Sequence, residues 1–208
     1  PTARDVPLKL FAKLSAGEGY RSSVALIGRD APTLVSTPFD IPEQRTRDAL
    51  IQSGVTAVDR APRFPLPTRG LNLPAEEICR NWPLRDGQHA ERMLQAYLVQ
   101  QIRIWRPDII VTMEARPRGE DHFATLLNQI LLQAVKKAAS ADASPLGVQP
   151  WQVSKVYTAL PPRSVGSLQL SGSQLIPRLG ASLDEYVARA HSYLHTQHEP
   201  QESHLGFT

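Results

Sequence analysis

A single cysteine, Cys79, stands in this 208-residue chain, which excludes an intramolecular disulfide and leaves cytoplasmic and extracellular compartments equally open. Its neighbours Ile78 and Arg80 form no recognisable nucleophile turn, so it reads as a buried, inert thiol. No Gly-x-Ser-x-Gly elbow occurs, and neither does a Gly-x-x-x-x-Gly-Lys loop or a Gly-x-Gly-x-x-Gly fingerprint. Serine-nucleophile hydrolysis, nucleotide hydrolysis and dinucleotide binding therefore lose their best sequence support. Aromatic residues make up only 6%, and the 23 Lys and Arg against 20 Asp and Glu are scattered without a basic run. Nucleic-acid binding has no positive support. No apolar stretch is long enough to cross a bilayer, so the expectation is a soluble chain, cytoplasmic or secreted, with no transmembrane segment. The sequence shows no internal repeat and leaves the oligomeric state open.

What is present fits one sizeable core, with 41% hydrophobic and 21% charged residues. The 18 prolines concentrate in loops, above all between Pro32 and Pro42 and between Pro62 and Pro83, where regular helix or central strand is unavailable. Between those loops Asp40 can cap a helix that starts at Pro42 and ends at Gly54. Leu94, Tyr97, Leu98, Ile102 and Trp105 form a helical stripe, followed by the β-branched run Ile109, Ile110, Val111. From Phe123 the period returns to helical through Leu126, Leu127, Ile130, Leu131, Ala134, Val135 and Ala138, and Val153 to Leu160 reads as another strand. This alternation predicts parallel βαβ units and an α/β fold, with strands at 24–28, 108–113 and 153–158 sharing one mostly parallel sheet. Ser164 to Gly172 reads as a hairpin or lid. Ser182 and Glu185 form a capping box for a helix from Leu183, and the polar tail from Gln197 to Thr208 is expected to be mobile.

The stretch from Arg106 to His122 carries the functional signal, because its apolar strand leads through a polar loop to Asp121 and His122 at a helix start. Such a position is the C-terminal edge of a strand, where open α/β sheets hold ligands and metals. An imidazole beside a carboxylate suits a zinc ligand with an orienting partner, while the same Asp121 would suit a helix N-terminus by charge alone. Arg29 and Asp30 follow the strand ending near Ile27 and could hydrogen-bond sugar hydroxyls, or simply form a surface turn. Glu114 and Arg116 are further candidates by position in the loop before His122. His191 and His195, spaced i, i+4, read as a solvated helix face, since no acidic residue lies between them in a His-Glu-x-x-His arrangement.

The order aromatic-Arg106-Pro-Asp-hydrophobic strand, a loop ending in Asp121-His122, and then Trp151-Gln-Val-Ser-Lys-Val-Tyr157 resembles the PIG-L/LmbE-type deacetylases over about residues 86 to 158. Leu10 to Leu14, the Gly17-Glu-Gly19 turn and Ser23 to Asp30 resemble that family's first helix and second strand. The resemblance implies a Rossmann-like three-layer sandwich with a mostly parallel sheet. It also implies zinc-dependent removal of N-acetyl groups from amino sugars of the N-acetylglucosamine type. It makes His122 a metal ligand, Asp121 a catalytic carboxylate, and Arg29, Asp30 and Glu114 substrate contacts.

The family's Pro-His-Pro-Asp-Asp-Glu loop, source of two zinc ligands and a general base, has no counterpart here. Gly119 stands where the family's earlier second-motif His would be. The expectation is a single deacetylase-like domain over residues 1–208 that begins just after the first strand and its loop, and that is incomplete or inactive in this form. The rival reading is a non-catalytic α/β domain that binds carbohydrate or a partner protein.

Overall fold

A computed structural model describes residues 6–27, 43–60, 77–78, 90–112, 122–141, 147–160, 164, 166–194 and 204–207. They fall in two compact units, one of Pro1–Ile27, Pro32–Ala61 and Pro162–Phe207, the other of Gly28–Ala31, Pro62–Pro161 and Thr208.

The first unit opens with helix α1 (Leu8–Phe11), which runs directly into a π-helical turn over Ala12–Gly17. Strand β1 (Ser23–Leu26), helix α2 (Glu43–Gln52) and strand β2 (Ala57–Arg60) follow. β1 and β2 pair in parallel, with Ser23 opposite Ala57 and Leu26 opposite Arg60. The strand at 23–26 was expected from the β-branched and apolar residues around Val24. Its partner β2 was not, because Ala57 and Val58 are too short an apolar run to read as a strand.

Helix α2 ends where Gly54 takes φ +95°. The Val55 N–H reaches back to Leu50 O at 3.1 Å and the Gly54 N–H to Ile51 O at 2.9 Å, the paired bonds of a Schellman motif. A Cβ on Gly54 would also lie 2.9 Å from the backbone nitrogen of Ala16, so both the dihedral and the close approach demand glycine.

Helix α2 buries Ala49 and Leu50 in a core that also holds Leu183, Val187, Ala190 and Leu194 of the unit's last helix, and the two helices pack together. Lys9 of α1 is only 2% exposed, with its ammonium 2.5 Å from Asp184 Oδ1. The Asp184 carboxylate in turn sits so close to Gly172 that a Cβ there would collide with both of its oxygens.

Four short strands complete this unit. Strand β5 (Leu168–Ser171) pairs antiparallel with β8 (His204–Phe207), while β6 (Leu175–Ile176) and β7 (Ala181–Ser182) flank a 3-10 turn. The Ser164–Gly172 segment thus contributes a strand paired with the chain's end. Within the tail expected to be mobile, His204–Phe207 are ordered as a strand because Phe207 is buried at one end of the pairing. The intervening 195–203 lie outside the described residues.

The second unit contains helix α3 (Ala90–Trp105), strand β3 (Ile109–Thr112), helix α4 (His122–Ala139) and strand β4 (Lys155–Thr158). β3 and β4 are parallel, with Ile109 opposite Lys155 and Thr112 opposite Thr158, so β3–α4–β4 is the βαβ unit the periodicity predicted. The helices bury the stripes expected of them: Leu94, Leu98, Val99 and Ile102 on α3, and Phe123, Leu126, Ile130, Leu131, Ala134 and Ala138 on α4.

Polar side chains at two levels of α3 tie it to the C-terminal part of α4. Gln95 Nε2 donates to Gln133 Oε1 at 2.7 Å, and Lys137 Nζ donates to Gln95 Oε1. Further along α3, Arg103, 2% exposed, sends its guanidinium to the carbonyls of Lys137 at 3.2 Å, Ala138 at 3.1 Å and Ser140 at 2.6 Å.

The chain turns from α3 into β3 through Arg106, whose φ of +48° is the one positive value on a non-glycine residue among those described. Its guanidinium lies 5.7 Å from the Trp151 ring centroid. The Trp151 indole N–H donates to Pro107 O at 2.8 Å and its backbone N–H to Ala138 O at 2.9 Å. Asp108 O accepts from Ser154 and Lys155. The bonds to Pro107 O and Asp108 O tie the starts of β3 and β4 together, and the Trp151 N–H to Ala138 O ties that edge to the C-terminal end of α4. Together the described elements make an α/β fold of two-stranded sheets, two parallel and two antiparallel; among the described residues β1 pairs with β2 and β3 with β4, so the strands at 24–28, 108–113 and 153–158 do not pair in the one sheet that was expected.

Two measurements test this account. Replacing Arg103 by Met keeps its apolar stem but strips Lys137 O and Ser140 O of a buried charged donor, so urea unfolding should show a loss of about 2–4 kcal/mol. The capping box at the start of α5 (Leu183–Leu194) is formed as the sequence implied. The Ser182 N–H and Oγ both donate to Glu185 Oε2 at 2.8 Å, and the Glu185 N–H donates to Ser182 Oγ at 3.3 Å. The Ser182 backbone and hydroxyl donors hold the Glu185 carboxyl below the usual glutamate range. A folded-state value below the unfolded one means a contribution that is complete above the unfolded pKa and lost as pH falls through the folded one. Glu185→Gln should therefore flatten part of the acid limb of stability against pH, with a smaller difference from the native chain at pH 3 than at pH 7.

Candidate functional site

The geometry of a parallel βαβ unit fixes where its helix begins. The chain leaves β3 at Thr112, and α4 then returns it antiparallel to the strands, as the contact between Ala138 at its far end and Trp151 before β4 requires. The N-terminus of α4 thus lies at the C-terminal edge of β3 and β4, the edge where Thr112 and Thr158 stand side by side. His122 is the first residue of that helix and is half-buried. Phe123, 1% exposed, anchors the first turn in the core beside it. The free N–H groups and partial positive charge of a helix start add to the polarity of this edge.

Of the residues singled out by sequence, His122 is thus placed at the expected edge. Arg29, Asp30, Glu114 and Asp121 lie outside the described residues, as do Arg116, Cys79 and His195. His191 is on α5, half-buried, in the other unit.

Thr125, one turn after His122, is a residue that sequence reasoning passed over. Its Oγ1 is buried and has no hydrogen-bond partner among the described residues. In a helix, positions i and i+3 share a face, so Thr125 sits on the side of α4 that carries His122. The only sequence signal was a threonine in the first turn of an otherwise apolar helix face, which is common enough to be silent.

A zinc hydrolase needs about three protein ligands and an open position for water. Among the described residues no group of three or more His, Cys, Asp or Glu is gathered where it could hold a metal ion. His122 is one donor, and by themselves the described residues do not make up a zinc site.

With the geometry in hand, comparison with known proteins places the fold. The conserved protein TT1542 from Thermus thermophilus superposes with a TM-score of 0.58 at 18% identity, covering 92% of this chain and 76% of that one. GalB, the 4-carboxy-2-hydroxymuconate hydratase from Pseudomonas putida KT2440, superposes with a TM-score of 0.58 at 13% identity, covering 99% of this chain and 91% of that one. At such identities the likeness is one of fold, and it agrees with the α/β arrangement built up above. No family model and no curated protein matches the chain by sequence.

A buried hydroxyl without a partner weakens the folded state, since it has given up its bonds to water and gained none. Thr125→Val, which keeps the side-chain shape, should leave stability unchanged or raise it by up to about 1 kcal/mol in a chemical denaturation series.

Proposed function

We propose that this chain is a hydrolase-like domain resembling the zinc-dependent deacetylases of N-acetylated amino sugars, with its ligand site at the C-terminal edge of β3 and β4. The observation that carries the reading is the position of His122, first residue of the helix that returns from β3, at the edge where α/β folds converge their binding loops. The reading takes the fold as a Rossmann-like three-layer sandwich with a mostly parallel sheet.

The roles follow from side-chain chemistry. His122 offers a neutral imidazole as a metal ligand, and Asp121, adjacent in sequence, a carboxylate that could orient it or move a proton. Arg29, Asp30 and Glu114 would hold sugar hydroxyls and the amide through charged hydrogen bonds. In deacetylases of this type the metal supplies polarisation of water and carbonyl. Since the described residues contribute a single imidazole, no step is assigned to zinc.

That same count favours the second reading, a non-catalytic α/β domain that binds a carbohydrate or a partner protein. A fold neighbour named above is a hydratase, so the fold alone does not choose deacetylation. The choice rests on the Arg106–His122 resemblance and the placement of His122.

The two readings part on metal and turnover. A lone imidazole cannot displace the water shell of zinc to advantage, so this chain should bind zinc weakly or not at all and hydrolyse N-acetylglucosamine derivatives slowly at best. Metal analysis after dialysis, with His122→Ala as control, measures this. Stoichiometric zinc that disappears in the variant would mean that Asp121, Glu114 or Asp30 completes a site, and the enzyme reading would gain. Saturable binding of the amino sugar without acetate release, in zinc-supplemented buffer, would favour the binding domain.

A further inference from the structure

The N-terminal edge of the β3–β4 pair, opposite the edge that carries His122, exposes large apolar side chains where a solvated edge would carry polar ones. Ile104 is 52% exposed, Trp105 45% and Ile109 50%, and all three fall within six residues across the α3–β3 turn. The Trp105 indole N–H is satisfied by Gln101 Oε1 at 3.1 Å, so its ring can be covered without stranding a donor. Cations surround them. Arg106 sits inside the turn, Lys155 is the register partner of Ile109 and shares its sheet face, and Lys136 lies in the last turn of α4 at the same end. All three are exposed, and Asp108 is the one exposed carboxylate described within the turn.

We propose that this edge is a docking surface for an anionic lipid bilayer. Exposed Trp and Ile rimmed by Arg and Lys is the composition that partitions into the headgroup boundary, with rings and aliphatic groups entering and cations meeting lipid phosphates. The association is peripheral, because no helix among the described residues is long and apolar enough to span. Docking by this edge leaves His122, at the opposite edge of the same strand pair, open to the aqueous side.

Two other occupants fit less well. A symmetric contact with a second copy would bring this largely cationic rim against itself. A nucleic acid would engage the cations through its phosphates but gives Ile104 and Ile109 no hydrocarbon to enter.

Flotation of the full chain with phosphatidylcholine vesicles, with and without phosphatidylserine, tests the proposal. The chain should float with the serine-containing vesicles and be released by high salt. Trp105→Ser with Ile109→Ser should weaken partition about tenfold, and Lys136→Glu with Lys155→Glu should do the same while removing the preference for phosphatidylserine. The substituted residues are exposed, so thermal melting should stay within a few degrees of the native chain, and the two pairs act independently should one fail to fold. The proposal is overturned by absence of flotation, by flotation that both pairs leave intact, by binding to a single-stranded oligonucleotide that the same pairs abolish, or by a dimer in sedimentation equilibrium that they dissociate.

Discussion

The Arg103 guanidinium is the contact on which the second unit is organised. The last carbonyls of a helix have no partners within it, and at the end of α4 those of Lys137 and Ala138, with Ser140 just beyond, converge on one buried cation. A positive charge at a helix C-terminus also opposes the partial negative charge there. Because Arg103 belongs to α3, the same bonds clamp α3 to α4. They also fix Ala138, whose carbonyl takes the backbone N–H of Trp151 and so sets where the chain turns toward β4. The register of β4 on β3, and with it the position of Thr158 beside Thr112, follows from that start. The location of His122 depends on the far end of the same helix being held.

This changes what the sequence resemblance means. Arg106, Pro107, Asp108 and Trp151, which supply most of the likeness to the deacetylase family, all work at the N-terminal edge. Pro107 O and Asp108 O receive donors from Trp151, Ser154 and Lys155, and Arg106 lies over the indole. They hold two parallel strands in register at the edge opposite His122. The part of the resemblance that speaks to reaction chemistry is confined to Asp121 and His122, which is why fold and function stand on unequal footing.

The legible elements were those with a long period. The helices at 90–105 and 122–139 bury apolar stripes of four to six residues each, and the parallel strands at 109–112 and 155–158 are joined by one of them, so sequence could place them to within a few positions. β2 and β8 escaped because four-residue strands carry at most two or three apolar residues, and Leu205 and Phe207 were hidden in polar surroundings. Lys9 was illegible for another reason. Nothing local in a Lys predicts burial, which Asp184, distant in sequence, helps to make tolerable, together with a glycine at 172 that lets that carboxylate come close. Ser182 and Glu185, three apart, needed no such distant partner and were read correctly.

The two edges of the β3–β4 pair differ in how completely their polar groups are paired, and that difference separates scaffold from site. At the N-terminal edge the indole of Trp151, the guanidinium of Arg103 and the carbonyls of Pro107, Asp108 and Ala138 all have partners, as expected where the structure must hold one geometry. At the C-terminal edge the His122 imidazole stands half-buried at a helix start whose N–H groups lack intrahelical acceptors, and Thr125 Oγ1 on the same face is buried without a partner among the described residues. A folded chain that pairs its buried polar groups so fully at one end and not at the other is less stable than it could be at the second. A ligand at this edge, as proposed above, would supply such bonds, so that the cost would fall on the free protein and be recovered on binding.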